Sequence, residues 1–115
     1  MALNIKSFKV YMPAKDFELS KRFYTALGFK ISEGWGGTVD FELNGNRFRL
    51  QDYYVKDWAD NFMVVIGVDD AQAWHQHVQK IADSGEFNNI RIKRPRWLTA
   101  RSYFTSLIRP ASFLF

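Results

Sequence analysis

The chain has no cysteine. That excludes a disulfide framework, a thiolate nucleophile and a thiolate metal site. It has no apolar run near the roughly 18 residues that a membrane span needs, so no membrane partner is expected. Met1-Ala2-Leu3-Asn4-Ile5-Lys6 offers no signal-peptide h-region, and the expected location is the cytoplasm. Histidine is limited to His75 and His77. Two apart on a helix, they point roughly 200° from each other and cannot chelate one ion together. A solvated His75 and a partly packed His77 are expected, and no Ser-His-Asp or Cys-His set can be assembled. Acidic residues stop at Glu86.

What is present is a folded chain. At 115 residues, 47% apolar and 17% aromatic, it is long and greasy enough to bury a core as a single domain, residues 1–115, and too apolar to be disordered. The net charge of +4 is unevenly spread. Residues 1–90 hold ten Lys/Arg against twelve Asp/Glu, whereas residues 91–115 add Arg91, Lys93, Arg94, Arg96, Arg101 and Arg109 with no acid. Two readings of that basic tail stand: a surface for anions or nucleic acid, and an edge strand guarded by charge. The second is preferred, and nucleic acid is not an expected partner. The segment Arg94-Pro95-Arg96-Trp97 reads either as an anion grip or as a charged loop.

Two stretches 54 residues apart follow one pattern. In each, alternating strand residues give way to an Asp suited to capping a helix, Asp16 in the first and Asp69 or Asp70 in the second, and helical periodicity follows. Such a repeat points to one domain of two halves. The first half predicts a strand over 5–12 with Phe8, Val10 and Met12 on one face and Lys9 and Tyr11 on the other. A helix over 17–27 follows, burying Leu19, Phe23, Ala26 and Leu27 and closed by Gly28. Strands are expected over 29–33, 38–43 and 47–51, with a glycine loop at 34–37 and a hairpin turn at 44–46. The second half predicts a strand over 62–68 and a helix to about 83, burying Ala71, Trp74, Val78, Ile81 and Ala82 with Gly85 after it. Short strands over 89–92, 101–107 and 112–115 complete it.

Alternation also gathers polar residues. Asp40 and Glu42 share a strand face with Arg47, Arg49 and Gln51 across the hairpin, and Lys9 and Tyr11 fall on that face too. This is either a polar wall that orients a ligand or cross-strand ion pairing on a solvated face. For Lys9 the choice is between neutralising a ligand's carboxylate or phosphate and pairing with Glu42 or Asp40. Trp35 in its glycine loop, Tyr53-Tyr54 and Trp58 are candidate rim aromatics, for a flat ligand or for a dimer contact.

The run Val10-Tyr11-Met12-Pro13-Ala14-Lys15-Asp16-Phe17-Glu18-Leu19-Ser20-Lys21-Arg22-Phe23-Tyr24-Thr25-Ala26-Leu27-Gly28-Phe29 resembles the glyoxalase/bleomycin-resistance/extradiol dioxygenase family, the vicinal oxygen chelate superfamily. That resemblance implies an α+β fold: tandem βαβββ modules, about 5–54 and about 61–115, forming a curved mixed sheet with a cleft and helices on the convex face. It also implies a homodimer. After Gly85 the chain departs from the family, with Arg109-Pro110-Ala111-Ser112 where an Asp-Pro-x-Gly turn is usual. Metal-dependent members carry ligands on the first and last strands of each module. Those positions hold Lys9 and Met63 on the first strands, Gln51 on one last strand, and a second module ending at Phe115. Neither Lys nor Met suits a hard divalent ion in such a site. No metal, no cofactor and no catalytic residue are therefore expected.

The function implied is metal-independent binding of a small molecule, of the sequestering bleomycin-resistance type. Lys9, Tyr11, Asp40, Glu42, Arg49, Gln51 and Met63 would line the cleft, with Trp35 and Trp58 at its mouth. The basic balance favours a small aromatic or anionic ligand over a cationic drug. Two alternatives stand beside it: a metal-free lyase or isomerase using Glu42 or Lys9, and a ligandless interaction protein with a degenerate second module.

Overall fold

Asp16 and Asp70 do what their positions predict. The Asp16 carboxylate accepts from the Leu19 amide at 3.1 Å and that of Asp70 accepts from the Ala73 amide at 2.9 Å. Each satisfies a helix-end donor that would otherwise lack a partner. Replacing either Asp by Ala is expected to cost about 1 kcal/mol, read as a lower urea midpoint; an unchanged midpoint would contradict the capping role.

The computed structural model describes residues 2–87, 90–92, 103–109 and 112–114, the last two stretches through their backbone. It is an α+β structure in two compact units, Met1–Tyr53 and Tyr54–Phe115. In the first, β1 (Tyr11–Pro13), α1 (Phe17–Leu27), β2 (Lys30–Glu33), β3 (Val39–Leu43) and β4 (Asn46–Gln51) give a mixed sheet in the order β1-β4-β3-β2. β1 runs parallel to β4, and the β2–β3 and β3–β4 pairs are antiparallel. The α1 helix ends at Gly28, whose φ of 118° needs a residue without a Cβ.

The core of this unit is aromatic. Phe23, Tyr24, Phe41 and Leu50 are buried between α1 and one face of the sheet, with Met12 and Phe48. Phe41 stacks on Phe48 with centroids 5.2 Å apart, and the Tyr24 ring meets both, at 5.4 and 4.9 Å. The Tyr24 hydroxyl donates to Met12 Sδ at 3.5 Å, and burial raises its pKa. The buried stripe of α1 is therefore Ser20, Phe23, Tyr24 and Leu27, while Leu19 and Ala26 are only half-buried. The buried face thus centres on the Phe23 and Tyr24 rings rather than on the aliphatic positions Leu19 and Ala26.

The first strand is shorter than expected. Sheet pairing begins where the Val10 carbonyl accepts from the Arg49 amide, and Phe8 is 79% exposed. Alternation over residues 5–9 satisfies the strand pattern, yet among the described residues it meets no partner strand. The hairpin between β3 and β4 turns on Asn44 and Gly45, both at positive φ (52° and 84°), as a two-residue Asn-Gly turn requires.

The second unit contains α2 (Lys56–Asp60), β5 (Val64–Gly67), α3 (Ala71–Asp83), β6 (Ile90–Arg91), β7 (Tyr103–Arg109) and β8 (Ser112–Leu114). Asp70 rather than Asp69 caps α3. The helix buries Ala71, Val78 and Ile81, with Trp74 and Ala82 half-buried. The element order repeats that of the first unit, yet the pairing does not. β5 lies antiparallel to β7, and the sheet order is β5-β7-β8-β6; in the first unit the first strand instead lies parallel to the last. The short helix α2 is absent from the sequence expectation. It is barely more than a turn, and Val55 at its start gives no side-chain cap. Among the described residues no helix is long and apolar enough to cross a membrane.

Candidate functional site

The hairpin and the parallel β1–β4 pair bring charged side chains into one row. Register sets Tyr11 beside Arg49, Arg49 beside Asp40, and Asp40 beside Ser32. Paired residues point to the same face, so this row lies on the side of the first sheet opposite the aromatic core. A second row, Lys30, Glu42 and Arg47, runs next to it.

Asp40 is the hub. It accepts from Arg49 Nε at 2.7 Å, from Arg49 Nη2 at 3.1 Å and from Lys9 Nζ at 2.8 Å. Arg49 extends the chain by donating from Nη1 to the Tyr11 hydroxyl at 3.3 Å, with its guanidinium 5.6 Å from the Tyr11 ring centre. The side chains of Asp40, Arg49 and Lys9 are only 15, 17 and 23% exposed. Arg49 foremost, then Lys9, hold the Asp40 carboxyl down at about 2 against the desolvation that would raise it. The same carboxylate, with the Tyr11 hydroxyl, raises the Arg49 pKa.

Of the residues expected to line a cleft, Lys9, Tyr11, Asp40 and Arg49 are thus in direct contact. Gln51 is the next residue of β4 on that face, half-buried and beside Pro13. Glu42 is on the face as well, but its carboxylate accepts from the Gly45 amide at 2.6 Å. It closes the hairpin turn. Trp35 is 78% exposed, in the loop joining β2 to β3. That loop is held by Gly34 N–H on the Thr38 carbonyl at 2.9 Å and by the Thr38 hydroxyl on the Trp35 carbonyl at 2.7 Å. A side chain at Gly34 would collide with Thr38. Trp35 is therefore an exposed ring on a fixed support.

Trp58 on α2 and Met63 just before β5 are both exposed and belong to the second unit. His75 is half-buried and His77 exposed, the reverse of the expectation, with the His77 ring edge-on to Trp74 at 5.6 Å. Arg94-Pro95-Arg96-Trp97 and Phe115 lie outside the described residues, as do the side chains of Arg91, Arg101 and Arg109. Ser32, which the register places beside Asp40, did not stand out in the sequence; only strand pairing reveals it.

The positions that the family resemblance would give to metal ligands do not fit a metal. Lys9 puts an ammonium there, already bound to Asp40, and a cation repels a cation. Among the described residues no three His, Asp or Glu side chains converge as a metal-binding group.

No family model and no curated protein matches the chain. A solved structure of a hypothetical protein from S. aureus is similar, with a TM-score of 0.65 over 96% of this chain and 94% of that one, at 21% identity. Likeness at that identity speaks to the fold.

Proposed function

We propose that this chain is a metal-independent small-molecule-binding protein of the sequestering type, which holds an aromatic anion against the polar face of its first sheet. One observation carries the reading. Lys9 and Arg49 share the single carboxylate of Asp40, so a mostly buried patch keeps one positive charge in excess. A charge held out of water is costly without a partner, and an anionic ligand would supply one. The adjoining row adds Lys30 and Arg47 against Glu42 alone, which keeps the face positive. Trp35 offers a flat apolar surface on the same unit. Sequestration needs no nucleophile, base or metal, and a cationic drug would be repelled.

A thermal-shift series tests this, using 1-naphthoate, 1-naphthylamine, zinc, nickel and a chelator. A ligand at 100 times its Kd stabilises by about 2.7 kcal/mol, so naphthoate is expected to raise the melting temperature by several degrees. The amine, the metals and the chelator are expected to leave it unchanged. Stabilisation by a metal or by the amine but not by naphthoate would contradict the proposal.

A further inference from the structure

We infer that Asp40 sets the charge class of the ligand, making the patch selective for an aromatic monocarboxylate over a phosphate monoester. This rests on the binding reading above and adds the residue that discriminates.

Two separate arguments converge. The first is donor geometry. Arginine grips phosphate through the paired N–H groups of its fork. Here the fork, Nε and Nη2, is closed by the two oxygens of Asp40, and Nη1 is directed to the Tyr11 hydroxyl. The donors left for a ligand are two N–H groups of Lys9, the Tyr11 hydroxyl and one further N–H on each Nη of Arg49. Lys9 Nζ has three N–H groups and gives one to Asp40. The Tyr11 oxygen accepts from Arg49, which leaves its own proton to donate. An ammonium and a hydroxyl, two residues apart on one extended stretch, suit a carboxylate. The Nε–Nη2 fork, the paired donor set that suits a phosphate, is not among the donors left.

The second argument is charge. Lys9 and Arg49 against Asp40 leave a single positive charge. Attraction to that charge grows in proportion to the ligand's charge, while the cost of taking the ligand out of water grows as its square in the Born picture. A dianion doubles the gain and quadruples the cost, and it also meets the Asp40 carboxylate. Removing the Asp40 charge reverses both arguments at once, since the patch then holds two positive charges and the Arg49 fork is open.

Calorimetric titration with 1-naphthoate and 1-naphthyl phosphate tests this at about pH 8, where the phosphate monoester is mainly dianionic. The ring is common to both, so its contribution cancels. The wild-type protein is expected to bind naphthoate about tenfold or more tightly than the phosphate, which corresponds to about 1.4 kcal/mol. In Asp40→Asn the preference is expected to invert, through gained phosphate affinity. Lys9→Met is expected to weaken naphthoate about tenfold while leaving the Arg49–Asp40 pair in place. A wild-type protein that prefers the phosphate, or an Asp40→Asn protein with an unchanged ratio, would overturn the inference. If Asp40→Asn does not fold, the wild-type preference and the Lys9→Met loss decide it. Binding of neither compound to the wild type would instead remove the underlying binding reading, a result distinguishable from a wrong preference.

Discussion

Replacing Phe41 with alanine is expected to destabilise the first unit by about 4 kcal/mol, the largest effect of any single substitution considered for this chain. Phe41 is fully buried, stacked on Phe48 and packed against Tyr24 and Phe29. Truncation removes the transfer free energy of the ring and leaves a space that the neighbouring rings, wedged edge to face, cannot close. Domain stabilities are usually about 5–15 kcal/mol, so the variant should have lost much of its margin. Urea unfolding followed by far-UV circular dichroism measures it. Phe41→Leu keeps most of the volume and is expected to cost clearly less. A loss below about 1 kcal/mol in Phe41→Ala would mean that the aromatic cluster is not what holds β3 and β4 under α1. The functional stake is direct, because Asp40 and Glu42 flank Phe41 on β3 and the polar row exists only while that strand is held.

Asp40→Ala is expected to cost about 2 kcal/mol, although it removes a polar side chain from a face without an apolar core. The substitution deletes one acceptor and leaves two cations, Lys9 and Arg49, deprived of their carboxylate on a mostly buried patch. The pH dependence separates this from lost packing. The folded-state pKa of Asp40, about 2, lies below that of an unfolded Asp, about 3.9. A lowered carboxyl pKa stabilises the fold above the unfolded value and loses that contribution as pH falls through the folded one. The stability gap between wild type and Asp40→Asn is therefore expected to be constant from neutral pH down to about 5 and to shrink between about pH 4 and 2. Partial exposure reduces its size to about 1–2 kcal/mol. A gap that stays constant down to pH 2 would show that the Asp40 charge contributes nothing to the fold.

Local signals made the first unit legible. The Asp16 cap, the Gly28 stop, the Asn44-Gly45 turn and the alternation of residues 38–51 each depend on neighbours in sequence, and each stands in the structure. The polar row could be anticipated for the same reason: a two-residue turn fixes register, and register sets Arg49 beside Asp40. What could not be read depends on distant partners. Residues 5–9 alternate but pair with no strand among the described residues, and no local pattern reports which neighbour a strand will have. The exchange of partners in the second unit, with β5 beside β7, concerns which strand meets which, a non-local choice. Glu42 has the alternation of a cleft residue, yet a carboxylate three residues before Gly45 can reach back to the turn amide, and it does. The closed fork of Arg49 is likewise a matter of ångströms that composition and spacing do not encode.

The central claim is that an aromatic anion binds on the polar face of the first sheet, between Lys9 and Tyr11, with Trp35 as the exposed ring proposed to meet it. A titration of uniformly ¹⁵N-labelled protein with 2-naphthoate, followed by two-dimensional NMR, tests it most directly. The account predicts saturable shifts at the backbone amides of Lys9, Tyr11, Asp40 and Arg49 and at the Trp35 indole, with the buried amides of Phe23 and Leu27 unmoved. Saturable shifts confined to other residues, or none at millimolar ligand, would contradict it.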